Sequence, residues 1–181
     1  MYKNKEEIPG VVHSVTLTTS NIIRTQNFII RALKIKETEH DHIVDSGQEL
    51  KRWFTGIGAE LALEQFFGKK FVNLSVGKSG IYKRPDLDKL GLPVGIKCVE
   101  YGKHHIIYKS CHEPEILIFR DMYRFDIIGL ATVDVLTNNQ NDKLILSAAL
   151  RKKGYKTGFD GYQYIIPFSS LKELKDIVNE N

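Results

Sequence analysis

Cysteine is scarce in this 181-residue sequence: Cys98 and Cys111 are the only two, and no C-x-x-C pair occurs. Two such residues make no disulfide framework and give no thiolate zinc pattern, so both are expected as free thiols. Long apolar runs are missing too. None approaches the roughly 18 residues of a transmembrane helix, and Met1-Tyr2-Lys3-Asn4-Lys5-Glu6-Glu7 lacks the apolar core of a signal peptide. The expectation is a cytoplasmic chain without a membrane partner. There is no internal repeat, linker or low-complexity tract, and no strong bias of charge: 26 Lys and Arg against 22 Asp and Glu leave +4. That surplus is compatible with a polyanionic partner but does not require one. The length and a hydrophobic content of 42% suit one domain over residues 1–181 around a single core.

Residues 1–10 are polar and end in Pro9-Gly10, which predicts a loose start. Val11, Val15 and Leu17 read as a short extended piece, and Ser20 as the cap of a first helix. After a polar turn at 37–42, a second helix is predicted from Gln48 to Phe67, with Leu50, Phe54, Ile57 and Leu61 on one stripe and Gly68 ending it. Gly56 and Gly58 either weaken that helix or let it pack closely. The period then becomes extended, with candidate strands at 70–76, 92–99, 104–108, 115–120 and 125–136, and a last one at 162–167. Residues 143–153 fit strand or helix equally. Ser170-Leu171-Lys172-Glu173 is a capping box opening a terminal helix. The class is therefore α/β, with a mixed central sheet flanked by helices.

Three residues in this order carry chemistry. Hydrolysis of a phosphodiester uses a hard oxygen ligand for a metal ion that polarises the phosphate and activates water, and Asp86, after Pro85, can supply one. A lysine nearby can orient the water and offset transition-state charge, and Lys97 lies on the next predicted strand. Glu60 lies on the preceding helix. Taken alone, Asp86 is an ordinary turn residue and Glu60 an ordinary helix-surface residue. Lys97 in an apolar strand is less easily explained without a charge partner.

Gly56-Ile57-Gly58-Ala59-Glu60-Leu61-Ala62-Leu63-Glu64, then Pro85-Asp86, then Pro93-Val94-Gly95-Ile96-Lys97 resembles the PD-(D/E)XK nuclease superfamily, particularly its small phage and restriction-endonuclease-like members. The run from Glu115 to Leu136 is similar to the family's hydrophobic strand pair and Tyr162 to Leu174 to its closing segment, so the likeness spans roughly residues 50–178. It implies a restriction-endonuclease-like fold and a metal-dependent nuclease using Mg2+ or Mn2+. Nucleic acid is the implied partner, DNA ahead of RNA, and a homodimer is left open. Glu60, Asp86 and Lys97 would be catalytic, and Asp86, the Ile96 carbonyl and Glu60 would bind metal. One position departs from the pattern: the acid normally found two residues before the lysine is replaced by Gly95. Glu64, one helical turn after Glu60, is the favoured substitute. Glu100 is an odd number of positions from Gly95 and belongs to the opposite face of a regular strand. The alternative is a catalytically degraded nucleic-acid-binding module on the same fold.

Lys83, Arg84, Lys103 and His104, around these motifs, are the candidate contacts to nucleic acid. A histidine metal site is disfavoured, because His104 and His105 face opposite sides of a strand and His40 and His42 have no third ligand in view. Gly77-Lys78-Ser79-Gly80 lacks the frame of a phosphate loop and reads as a turn.

Overall fold

The structure is a computed structural model that describes residues 2–10, 12–36, 46–75, 85–107, 112–140 and 158–180, with the backbone alone at 35–36 and 46–49. His40, His42, Lys78, Lys83, Arg84, Cys111 and the ambiguous 143–153 stretch lie outside these residues.

Four strands form one mixed sheet: β1 (His13–Thr16), β2 (Gly95–Glu100), β3 (Glu115–Asp121) and β4 (Arg124–Ala131), in the order β1-β4-β3-β2. β3 and β4 pair antiparallel through a hairpin whose turn residue Met122 takes φ 53, with a bulge between Leu117 and Ile118. β2 runs parallel to β3, and no strand of the described residues pairs with its other edge. The centre of the sheet is apolar on both faces. Ile116 and Ile118 face one cluster, Leu117 and Phe119 the other, and all four are buried, which is why β3 reads as a continuous apolar run rather than an alternation.

Two long helices lie between β1 and β2 in the chain, α1 (Thr19–Lys36) and α2 (Ser46–Phe67). α1 buries Asn21, Thr25, Phe28, Ile29 and Ala32, the spacing of one helical face. Its cap is Thr18, whose Oγ1 accepts the Asn21 N–H at 3.3 Å, rather than Ser20. α2 packs Ala59, Leu61, Ala62 and Leu63 against the sheet and ends at Gly68, with φ 63, a conformation glycine adopts without strain. Gly58 permits this approach: a Cβ there would stand 2.5 Å from Cζ of the buried Phe125 ring. Beside Gly56 there is open space.

Several expectations are corrected. The 125–136 stretch is strand only to Ala131, and a short helix α3 (Val133–Asn138) follows, capped by Thr132 Oγ1. Residues 70–75 and 104–107 are extended without strand pairing. Residues 162–164 form a 3-10 turn, and only Ile166 of the predicted last strand pairs, with Leu130. That approach requires Gly129, since a Cβ there would lie 2.4 Å from the Ile166 carbonyl oxygen. The N-terminus is docked rather than loose: Ile8 is buried, and Tyr2 meets Phe119 and Tyr162 edge-on. The terminal helix α4 (Leu171–Glu180) does open on Ser170, whose Oγ accepts the Glu173 N–H as the capping box expects, but the Glu173 carboxylate reaches back to the N–H and hydroxyl of Ser169 instead of the Ser170 N–H.

Candidate active site

The site is built on the outer edge of β2. The Gly95 N–H turns inward to the Pro114 carbonyl, so the peptide groups of Ile96 face outward. The Ile96 N–H donates to Asp86 Oδ2 at 2.6 Å. Asp86 is placed there by the tight turn that Pro85 begins, in which the Asp88 N–H donates to the Pro85 carbonyl and the Leu87 N–H to the Val94 carbonyl. Leu87 and Val94, both fully buried, pin that turn to the core.

Lys97 alternates with Ile96 and Cys98, which pack on the α2 side, so it projects on the opposite face with Val99. Its Nζ lies 3.4 Å from Glu115 Oε1. Glu115 is the register partner of Gly95 on β3, and its Oε2 is buried with no hydrogen-bond partner. Glu113, just before β3, fills the space a side chain at position 95 would need: a Cβ on Gly95 would meet Glu113 Oε1 at 3.0 Å. The acid missing from β2 is thus matched by two acids from the neighbouring strand and its approach. Sequence reasoning missed both, because strand register is what brings Glu115 opposite Gly95.

Electrostatics tie these groups together. Burial, then the Asp86 and Glu64 charges, push Glu60 up to about 8, against a small opposing effect of Lys89. Burial pushes Glu115 up to about 7, with Lys97 opposing and Glu113 and Asp86 adding to the rise. Glu113 is raised by burial and by Asp86. Asp86 is exposed along one side, yet protein crowds its carboxylate enough that burial raises it, despite the Ile96 N–H and Lys97. Burial is the first cause for each of these carboxyls, repulsion from neighbouring carboxylates adds to it for Glu60, Glu113 and Glu115, and Lys97 opposes it for Asp86, Glu113 and Glu115.

Glu64 does not join this set as a ligand, contrary to expectation. It is buried, its Oε1 accepts the N–H groups of Phe71 and Val72 at 2.8 Å each, and its Oε2 takes Arg24 at 3.2 Å and Lys70 at 3.3 Å. Burial works against ionisation, but the two backbone donors with Arg24 and Lys70 outweigh it and hold the carboxyl below its ordinary range. Glu64 is a clamp on the chain after α2. Glu100 is likewise committed, to Lys51, Lys103 and Arg120. Lys103 therefore sits at the far end of β2 from Gly95. His104 Nδ1 is buried without a hydrogen-bond partner. His105 is fully buried between the Tyr162 hydroxyl at 3.0 Å and the Ile118 carbonyl at 2.9 Å, and burial drives its pKa down to about 4. It is a core residue.

Among the described residues no three His, Cys, Asp or Glu side chains form a ready cation-binding group. No helix of the described residues is long and apolar enough to cross a membrane. No family model, curated protein or solved structure matches the chain.

Proposed function

We propose that the protein is a metal-dependent nuclease built on a PD-(D/E)XK-like, restriction-endonuclease-like scaffold, with Asp86, Glu60 and Lys97 as its working groups. The observation that carries this reading is the bond of Asp86 to the Ile96 backbone at the outer edge of β2, within the field of Lys97 and beside the Lys97–Glu115 pair, where Glu113 occupies the space left by Gly95. All the donors are oxygens of the kind a hard divalent cation takes, and one of them, Glu115 Oε2, is buried and unpartnered; the side chains do not form a ready group as they stand, so binding would draw them together. Asp86, the Ile96 carbonyl, Glu113 and Glu115 would hold Mg2+ or Mn2+; Glu60, on the α2 side, neighbours Asp86 of this set. Such an ion lowers the pKa of bound water and screens phosphate charge. Lys97 carries the positive charge that faces the attacked phosphorus and orients the water. Glu60, held protonated near neutral pH, can deliver a proton to the departing oxygen.

The test is incubation with labelled single-stranded, duplex and branched DNA and RNA, in Mg2+ or Mn2+ against EDTA. Cleavage that requires metal, is best on DNA and falls about two or more orders of magnitude in Lys97→Ala at unchanged melting temperature is expected. Binding without cutting, indifferent to EDTA, would favour the nucleic-acid-binding module instead.

A further inference from the structure

α1 carries Arg24, Arg31, Lys34 and Lys36 and no acidic residue. Between it and the chain leaving α2 runs a groove of about 450 Å3 walled by Arg24, Asn27, Ile30, Arg31 and Leu74. Arg24 also bonds Asn21 and Glu64, and those two residues line a second hollow of about 340 Å3 that reaches Lys69 and Lys70. The two hollows are thus lined by four cations and one carboxylate; that carboxylate is shared between Arg24 and Lys70, while Arg31 reaches the Asn27 and Leu74 carbonyls. The Glu64 clamp fixes the 69–72 turn through the Phe71 and Val72 N–H groups, and the Lys69 N–H donates to the Glu64 carbonyl. The lysines are therefore displayed from a defined backbone, opposite arginines on a rigid helix. Glu60 lies one turn of α2 from the clamp and feels its charge.

We infer that the groove between α1 and residues 69–74 binds the phosphodiester backbone of a nucleic-acid strand, with Arg24, Arg31, Lys69 and Lys70 as its phosphate contacts. The inference rests on the nuclease reading for its purpose but not for its test. Cations spaced among neutral polar side chains, with Ile30 and Leu74 as the apolar ones, suit a sugar-phosphate chain whose charge repeats regularly, and such contacts position a strand without reading its sequence. None of these four residues belongs to the sequence motifs.

The experiment measures anisotropy of short fluorescein-labelled DNA and RNA oligonucleotides, single-stranded and duplex, with the full chain in EDTA across a salt series. Arg31→Gln/Lys69→Gln leaves the Glu64 clamp intact. It is expected to weaken binding roughly tenfold and to flatten the slope of log K against log salt by about 1.8 for duplex or 1.4 for single strands, at unchanged melting temperature. Lys172→Gln/Lys175→Gln on α4 has the same change of net charge and should do neither. The inference is overturned if the wild type binds none of the oligonucleotides, if the groove variant keeps affinity and slope, or if the α4 variant loses as much. Groove-dependent binding without cleavage in Mg2+ would sink the nuclease reading alone. Cleavage with a silent groove variant would sink this inference alone.

Discussion

Gly95 decides how the acids at this site are arranged. A glutamate there would drive its Cβ to 3.0 Å from Glu113 Oε1 and add another negative charge beside carboxyls that burial already raises. Gly95→Glu in the native background is therefore expected to weaken Mg2+ binding and cleavage rather than restore a lost site, and Glu113→Ala is expected to weaken both as well. In Gly95→Glu/Glu113→Ala the new carboxylate takes the vacated space, so metal affinity by calorimetric titration should recover above either single variant. Additive losses in the double variant would show that the two positions do not share a role. At this scale Asp86, Ile96 and Lys97 were legible because a proline turn and a strand lysine have local reasons to be where they are. Glu113 and Glu115 were not, since their relevance depends on the parallel pairing of β2 with β3, and pairing partners are not written in either strand alone. Glu64 was assigned by helical spacing, which places a carboxylate on a face but does not name the donors it will meet. Glu64→Gln keeps an acceptor for Phe71 and Val72 and loses the charge facing Arg24 and Lys70, at a cost of about 1.5–3 kcal/mol. Its melting temperature should fall while Mg2+ affinity stays within about twofold; loss of metal binding at unchanged stability would return Glu64 to the ligand set.

Helix α2 holds the site against the sheet, and its two glycines do different things. Gly56 adjoins open space, so Gly56→Ala removes backbone freedom from the unfolded chain and improves helix propensity by about 1 kcal/mol. Gly58→Ala gains the same propensity but places a methyl 2.5 Å from the buried Phe125 ring, and overpacking of that kind costs about 1–3 kcal/mol. Thermal unfolding should show Gly56→Ala raised by roughly 2–4 °C and Gly58→Ala lower than Gly56→Ala, at or below the native value. Equal stabilisation by both would mean that α2 does not lie as close to β4 as described. The long helices and β3 could be read from periodicity because each satisfies its own pattern over many residues. The failures fall on short segments set by tertiary contact. Ile166 pairs with Leu130 only because Gly129 lets the chains touch, and the N-terminal segment is held by Tyr2 and Ile8 against a sheet face whose cover no local pattern announces.

In the molecule as a whole, the fold and the site oppose each other through protons. Glu60 and Glu115 have folded pKa values of about 8 and about 7 against an ordinary 4.5. Each raised group favours the folded state fully only below the ordinary value. That contribution is lost progressively as pH climbs and is gone above about 8, so the metal-free protein should melt lower at pH 8 than at pH 6. A divalent cation reverses the sense, because its ligands must be ionised and binding at low pH has to displace protons. For Glu115 the proton costs about 1.4 kcal/mol per pH unit below its pKa, which is a tenfold weaker Mg2+ affinity at pH 6 than above pH 7. At a concentration one hundred times the dissociation constant, Mg2+ adds about 2.7 kcal/mol, or roughly 5–11 °C for a chain of this size. The expected pattern in a differential scan is therefore a Mg2+ shift at pH 6 about half that at pH 8 with the same metal concentration, and neither in Glu115→Gln. A Mg2+ shift equal at both pH values, or one that survives Glu115→Gln unchanged, would place the cation away from the β2 edge and remove the metal from the proposed chemistry of Asp86 and Lys97.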